Sequence, residues 1–308
     1  MKNILFTIFL FSLGLSYNGS ITGLTYFKYQ FSEDTQGFKL NRQYLNYEVD
    51  MAYNVKFKII LDAARTSKLT DSNGNKEDSR LVVFLKNAQL EYNQKWGTAR
   101  FGLIATNTFN IQEINWGYRF IEKSAMDKNN FISTADLGIG LSRTINDNLD
   151  LNIQFLNGEG YKKSQEDKNQ KLNFALNYGE KNISKNEGGN IGLVFSTEPF
   201  RSTTNNLISI YSGFFINNLR LAVESDFLVF DDSTQNLTSY SSTYMINSKV
   251  KYFIRHDILE QENVSNNQFT ITGMIFDLKN GFILSPNIRS INHKNENYIY
   301  TLNFHFRF

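Results

Sequence analysis

The last twelve residues of this 308-residue chain alternate almost strictly. Tyr298, Tyr300, Leu302, Phe304, Phe306 and Phe308 fall on one face, and Asn297, Thr301, Asn303, His305 and Arg307 on the other. Period two is the signature of an extended strand, here greasy and aromatic on one side and wet on the other. A strand covering a soluble core would show the same pattern, so this segment alone leaves both readings open. What constrains the fold is that most of the chain repeats it.

From Ile21 to Phe31, Gly23, Thr25, Phe27, Tyr29 and Phe31 oppose Thr22, Leu24, Tyr26, Lys28 and Gln30. Leu45, Tyr47, Val49 and Met51 oppose Arg42, Tyr44, Asn46, Glu48 and Asp50; after a tight turn, Phe57, Ile59, Leu61 and Ala63 oppose Lys56, Lys58, Ile60 and Asp62. Further half-polar strands follow at 81–93, 99–103, 137–141, 149–155, 172–178, 191–195, 207–216 (facing unassigned), 219–229, 240–248 (weak), 250–255, 269–276, 282–291 and the end. That makes about sixteen strands at about 18 residues each with their loops, fourteen and eighteen remaining open.

Composition narrows the setting. Aromatics are 15%, Pro is 2 residues and Cys is absent, which fits one large β-domain without a disulfide framework or a lipid-modified terminus. Mean hydropathy is −0.38, and no apolar run reaches the length of a membrane helix. A net charge of +2 with no basic stripe excludes a nucleic-acid partner. Residues 1–16 read as a secretory signal, with Lys2, the apolar run Ile4 to Leu13 and a small-residue cleavage site at Gly14-Leu15-Ser16; Gly19 and Ser20 are alternative cut points. Residues 17–308 are then the β-domain.

Turn lengths carry the argument further. The links at AYN, QKW, NDN, NN and LKNG fall on one side of the sheet, and the long segments Ser67 to Arg80, Ala105 to Ala135 and Asn157 to Gln170 fall on the other. The first of these is charged, without apolar anchors, and reads as solvated and mobile. The second interleaves Phe109, Ile111, Trp116, Tyr118, Phe120 and Ile121 with Glu113, Arg119, Glu122 and Lys123, too apolar for water, and reads as a loop folded inward. GEKNISKNEG, 179–188, is long for an inner turn. The expected fold is all-β: a transmembrane antiparallel barrel of about sixteen strands. Backbone amides in hydrocarbon cannot stay unpaired, so a sheet there must close on itself.

Ordered short motifs supply a resemblance. GTARFGLIATN from Gly97, WGYRFIEKSA from Trp116, ADLGIGL from Ala135 and LDLNIQFLNGEG from Leu149 stand in the order and spacing of the phosphate-selective porin O and P family. NRQYLNYEV near Arg42, LRLAVESD near Glu224 and IRHD near Arg255 resemble its other recurrent strands. The resemblance implies a sixteen-stranded outer-membrane porin of a Gram-negative-type bacterium, commonly trimeric, whose third external loop narrows the lumen. Mapped onto it, Phe120, Glu122, Lys123 and Ser124 occupy an FIERS-like element, with Lys123 in place of arginine; no proline follows the glycine strand. The aromatic end also resembles the closing strand of outer-membrane barrels, in which the last residue, here Phe308, is read by the barrel-assembly machinery. Expected partners are therefore outer-membrane lipid, small hydrophilic solutes or ions, and two further copies of the chain. No cofactor is expected.

The inward faces test the anion preference in the family's name. Arg42, Lys56, Lys58, Arg100, Arg220, Lys249, Lys251, Arg255, Arg289 and Arg307 are nearly balanced by Glu48, Asp50, Asp62, Glu91, Asp136, Asp150, Glu224, Asp226 and Asp257. Selectivity needs rings of one sign, so the expectation is a weakly selective passage, with phosphate as the family's suggestion. Candidate pore-lining residues are Arg42, Lys58, Arg100, Arg220, Glu224, Arg255 and Arg289; candidate constriction residues are Trp116, Arg119, Phe120, Glu122 and Lys123. Any single one of these charges serves equally as a cross-strand ion pair. The imidazoles, His256 (outward, near a strand end), His293 (in a loop) and His305 (inward), stand in no catalytic or metal-binding spacing.

Overall fold

The computed structural model describes residues 19–308 apart from 34, 52, 66–68, 71–76, 79–80, 201–202, 232, 263 and 294. The predicted leader lies outside the described residues. In chain order the elements are β1 (Gly19–Phe31), β2 (Gln36–Asp50), β3 (Val55–Arg65), β4 (Leu69–Thr70), β5 (Glu77–Asp78), β6 (Leu81–Gln94), β7 (Gly97–Ala105), α1 (Asn110–Trp116), α2 (Ala125–Lys128), β8 (Ala135–Asn146), β9 (Leu149–Leu156) and β10 (Lys171–Gly179). Then come β11 (Gly188–Phe200), β12 (Thr203–Ile216), β13 (Leu219–Phe230), β14 (Ser233–Met245), β15 (Val250–Gln261), β16 (Val264–Asp277), β17 (Phe282–His293) and β18 (Asn295–Arg307).

All of these strands except β4 and β5 form one closed antiparallel barrel, sixteen in number, with β18 pairing back onto β1. Register shows why the pattern folds this way. Between β9 and β10, Leu172, Phe174 and Leu176 face Phe155, Ile153 and Leu151 on the outside, while Asn173, Ala175 and Asn177 face Gln154, Asn152 and Asp150 inside. Cross-strand rows thus collect the apolar residues outside and the amides inside. The seam closes on the last residue: Phe308 donates its N–H to Gly23 O at 3.1 Å and accepts from Gly23 N at 3.0 Å. Its ring lies over Gly23, where an added Cβ would collide with it.

Several sequence expectations shift. The 67–80 segment is not wholly loop, because β4 and β5 pair with each other. The weak strand at 240–248 is β14, starting at Ser233; β15 and β16 run past the expected strand bounds 250–255 and 269–276; and His293 ends β17 rather than sitting in a loop. Strands of 12 to 15 residues exceed the roughly 9 to 11 needed to cross a bilayer. Their outer ends are therefore polar yet still paired, and polarity alone reads as loop. The long inner turn after β10 leaves the strand count intact: it tucks back into the barrel end, burying Ile183 completely.

Candidate functional site

Residues 106–134 leave the wall after β7 and fold into the lumen, where Trp116, Phe120, Ile121 and Met126 are all buried. Two short helices build the segment. α1 ends on Gly117, which takes a left-handed φ of 77° and returns its N–H to Glu113 O. A Cβ at Gly117 would stand 2.7 Å from the Arg220 guanidinium, so a glycine is what lets that side chain reach Trp116 O at 2.9 Å. α2 starts at Ser124, whose hydroxyl accepts from Asp127 N.

Apolar packing seats the loop against one side of the barrel. Trp116, Tyr118, Phe120 and Ile121 pack on Phe253 of β15 and on Phe269, Ile271 and Ile275 of β16, which point inward. Phe109, Ala125, Met126, Phe131 and Ile132 form a second cluster with Leu207, Leu228, Leu237 and Leu259. Polar clamps then fix the register of the loop. Asn303 donates to Phe120 O at 3.0 Å, and Arg289 donates to Ile121 O and to Glu122 Oε2, each at 2.6 Å. Arg255 donates to Lys123 O at 2.5 Å while its fork engages Asp257 at 2.8 and 2.7 Å.

The candidate pore-lining residues fall into two groups by exposure. Arg220, Glu224, Arg255 and Arg289 do face inward, but they are 3, 7, 1 and 6 % exposed, beneath the loop rather than along open water. Arg220, Arg255 and Arg289 each donate to the loop there. Trp116 and Phe120 likewise anchor the loop. Lys58 and Arg100 line one open space and Arg42 and Lys123 another, while the Arg119 side chain is mostly covered.

The wall residues Arg42 and Lys86 are near enough to the loop residue Arg119 for their charges to interact. Arg42 pairs with Asp62, and Lys86 donates to the Tyr44 hydroxyl while lying 4.6 Å from that ring's centre. Arg119 pairs with Glu113 and, at 2.8 Å, with Asp127, which also lies 3.3 Å from Lys123. Burial disfavours the Arg119 charge, but Glu113, Tyr44 and Asp127 outweigh it and raise its pKa above the usual guanidinium range. Burial likewise works against the Asp127 carboxylate, and Arg119 with Lys123 more than compensates, holding its pKa below the ordinary value. The eyelet therefore carries four cations, Arg42, Lys86, Arg119 and Lys123, against three carboxylates, Asp62, Glu113 and Asp127.

Chambers lie on either side of it. One, ≈ 740 Å³, is bounded by α1 and the short turn at Lys95 and Trp96; Lys58, Arg100, Asn107, Asn152 and Asn177 line it. Lys58 pairs there with Glu48 at 2.7 Å and Arg100 with Glu91 at 3.2 Å, and Lys95 and Arg143 also line it. The other, ≈ 480 Å³, lies toward the long loops, between Arg42, Lys123, Tyr161 and Lys171.

Sequence reading missed Lys86 and Asp127. Lys86 sits at an irregularity between β3 and β6, where Leu61 pairs with Leu85 but Ile60 with Asn87, so strict alternation could not place it. Asp127 lies in the loop, where no period exists. Two of the quoted motifs find a joint reason: Asp136 of ADLG accepts from Gly158 N of NGEG at 2.8 Å, tying the start of β8 to the end of β9. His305 packs on Tyr26 and Phe120, and His256 faces outward near the middle of β15 rather than at its end. Among the described residues no group of three His, Cys, Asp or Glu could hold a metal ion.

No protein-family model matches the sequence, and no curated protein does. Shape does match. OprB of Pseudomonas putida aligns with a TM-score of 0.72 at 10% identity, covering 97% of this chain and 96% of that one. The outer membrane channel DcaP of Acinetobacter baumannii gives 0.66 at 10%, over 94% and 97%. A trimer form of the outer membrane protein OmpT of Vibrio cholerae, folded in vitro, gives 0.65 at 11%, over 95% and 100%. At such identity the likeness is one of fold: the chain closes sixteen antiparallel strands into the same kind of β-barrel as these structures.

Proposed function

We propose that the chain is a porin of the outer membrane through which small hydrophilic solutes and ions diffuse passively down their gradients. The observation that supports this best is a polar lumen in which an inward loop leaves two chambers, of ≈ 740 and ≈ 480 Å³, and carries paired charges facing the wall. Weak selectivity is favoured by the ion pairs Lys58–Glu48, Arg100–Glu91, Arg255–Asp257 and Arg289–Glu122, which leave no run of unopposed charge of one sign at these positions. A phosphate preference, suggested by the motif resemblance, would need unpaired arginines along the path, whereas Arg220, Arg255 and Arg289 are engaged by the loop. We assign the chain to a homotrimer embedded in outer-membrane lipid, in keeping with the trimer form of OmpT, with Phe308 as the mark read during assembly.

A second reading, a closed barrel serving as a surface-interaction or anchoring protein, draws on the dryness of the eyelet, where the Asp62 side chain is wholly covered and those of Arg42 and Arg119 are 15 and 13 % exposed. Purified protein in a planar bilayer under a salt gradient decides between them. Stable conductance with a small reversal potential supports the diffusion pore. No conductance, and no solute flux in liposome swelling, selects the closed barrel; a steep anion preference overturns weak selectivity.

A further inference from the structure

The inner turn between β10 and β11 is longer than the other turns at its end of the barrel, and its sequence, GEKNISKNEG, holds a single apolar residue. That residue, Ile183, is completely buried. A link that only joined two strands could be two residues long and wholly polar. This one is fixed to the rim on both sides. Lys181 pairs with Asp150 of β9 at 2.9 Å, and Glu187 Oε1 accepts from Asn217 N, between β12 and β13, at 2.7 Å. The chain between them folds back on itself: Glu180 N donates to Gly189 O, and Glu180 Oε1 accepts from Asn182 N at 2.7 Å.

The turn meets the constriction loop at α1. Asn115 of α1 and Asn190 of β11, both buried, exchange two hydrogen bonds of 2.9 Å each. The second side-chain N–H of Asn190 goes to Glu180 O at 2.8 Å, so one amide joins helix, wall and turn and spends both its donors. Ile183 reaches the same place. A Cβ added at Gly213, the cross-strand partner of Asn190, would collide with the Ile183 side chain and the Asn115 amide together. α1 needs such a hold, because it is seven residues long, has no side-chain cap at its start, and a helix so short is not stable by itself. The clamps from Arg220, Asn303, Arg289 and Arg255 reach Trp116 or residues after it, whereas α1 bonds the wall through Gln112 to Ser209 at 3.2 Å and through Asn115. Asn110 and Ile111 of α1 and Lys181 of the turn line the same ≈ 740 Å³ chamber. We infer that residues 179–188 are a positioning element of the constriction, which holds α1 from the inner mouth through Asn190 and Ile183 and so fixes the width of that chamber. This rests on the pore reading above and adds a second seat for the loop.

Trp96→Phe leaves Trp116, the last residue of α1, as the single tryptophan. In that background the full chain is reconstituted in phospholipid vesicles, and quenching of Trp116 by iodide is measured beside single-channel current. Asn190→Leu, and separately an Asn-Gly link in place of residues 180–187, should each raise the quenching constant several-fold and the rate of brief conductance steps about tenfold, in barrels that still migrate as folded before heating. Ile183→Ala repeats the measurement should either fail to insert. Asn115→Leu added to Asn190→Leu should do no more than Asn190→Leu alone, since both belong to one contact. Unchanged quenching in folded variants, or a double variant that sums the two single effects, overturns the positioning role. A wild type that carries no current removes the pore reading instead, and the quenching still decides whether the turn holds α1.

Discussion

Arg289 is the clamp whose loss is easiest to size. Its Nη1 and Nη2 donate at 2.6 Å to Glu122 Oε2 and Ile121 O, and the two side chains are 7 and 16 % exposed. A hydrogen bond to a charged group contributes about 1.5–3 kcal/mol. Removing one partner of a buried pair costs about 3–5 kcal/mol, because the other charge is left bare. Glu122 keeps some solvent, which places Arg289→Met near the lower end, about 3 kcal/mol. At about 1.4 kcal/mol per factor of ten, the detached fraction of the loop rises about 100-fold. Asn303, Arg255, Arg220 and the apolar clusters still hold it, so the loop leaves its seat only briefly. Single-channel recordings should then show added noise and short upward conductance steps, with a barrel that still migrates as folded before heating. Adding Glu122→Gln to Arg289→Met removes the bare carboxylate and should quiet the trace in part. A folded Arg289→Met barrel with a wild-type trace, or a double variant no quieter than the single one, would refute the clamp.

Other perturbations read separate parts of the same arrangement. Deleting Trp116 to Lys128 should raise conductance, and an unchanged value would mean that the segment does not narrow the lumen. Changing Lys86 and Lys123 together to Gln leaves two cations against three carboxylates at the eyelet, so the reversal potential in a potassium chloride gradient should move toward cations. The Asp127 carboxylate, burdened by burial but held ionised by Arg119 and Lys123, has a lowered pKa. Its contribution is therefore complete above the unfolded value of about 4 and fades only as pH falls through the lower folded one. Wild type and Asp127→Asn should therefore differ in conductance by a constant amount from pH 7 to 5, and a difference that shrinks within that window would contradict the pairing. Finally, Ile271→Asn buries an amide against the loop at a cost of about 1–3 kcal/mol, so it should disturb the current more than membrane insertion, whereas Leu176→Asn on the outer face should do the reverse.

What sequence could show is governed by where one period meets one environment. On β9 and β10 each residue has lipid on one side and water on the other, and alternation alone assigned both faces. The strand count was legible for the same reason, since every crossing repeats the rule and short turns separate the pairs. The inward fold of 106–134 was legible from its apolar content. Its seat was not: Asn303 bonds Phe120 O across 183 residues, and no local pattern carries such a distance. Nor could an irregular register announce Lys86, because a single extra residue shifts the parity of every position beyond it on the strand.

The strands β15 and β16 show the deeper limit. A barrel of this kind has two apolar surroundings, the bilayer outside and the packed loop inside, and a greasy residue on a strand is at home in either. Phe269 and Ile271 alternate with Thr270 and Thr272 as cleanly as any lipid-facing row, yet they point to the loop. Periodicity therefore fixes that two faces differ and leaves open which one is outside. The choice is made by partners: Trp116, Tyr118, Phe120 and Ile121 supply on the lumen side the hydrocarbon that the membrane supplies elsewhere. Where the inside takes the apolar face, the outside is left with an imidazole and hydroxyls, which bond one another, a tyrosine hydroxyl and a strand carbonyl within the wall: His256 with Thr270, and Thr272 with Tyr252 and Phe253 O.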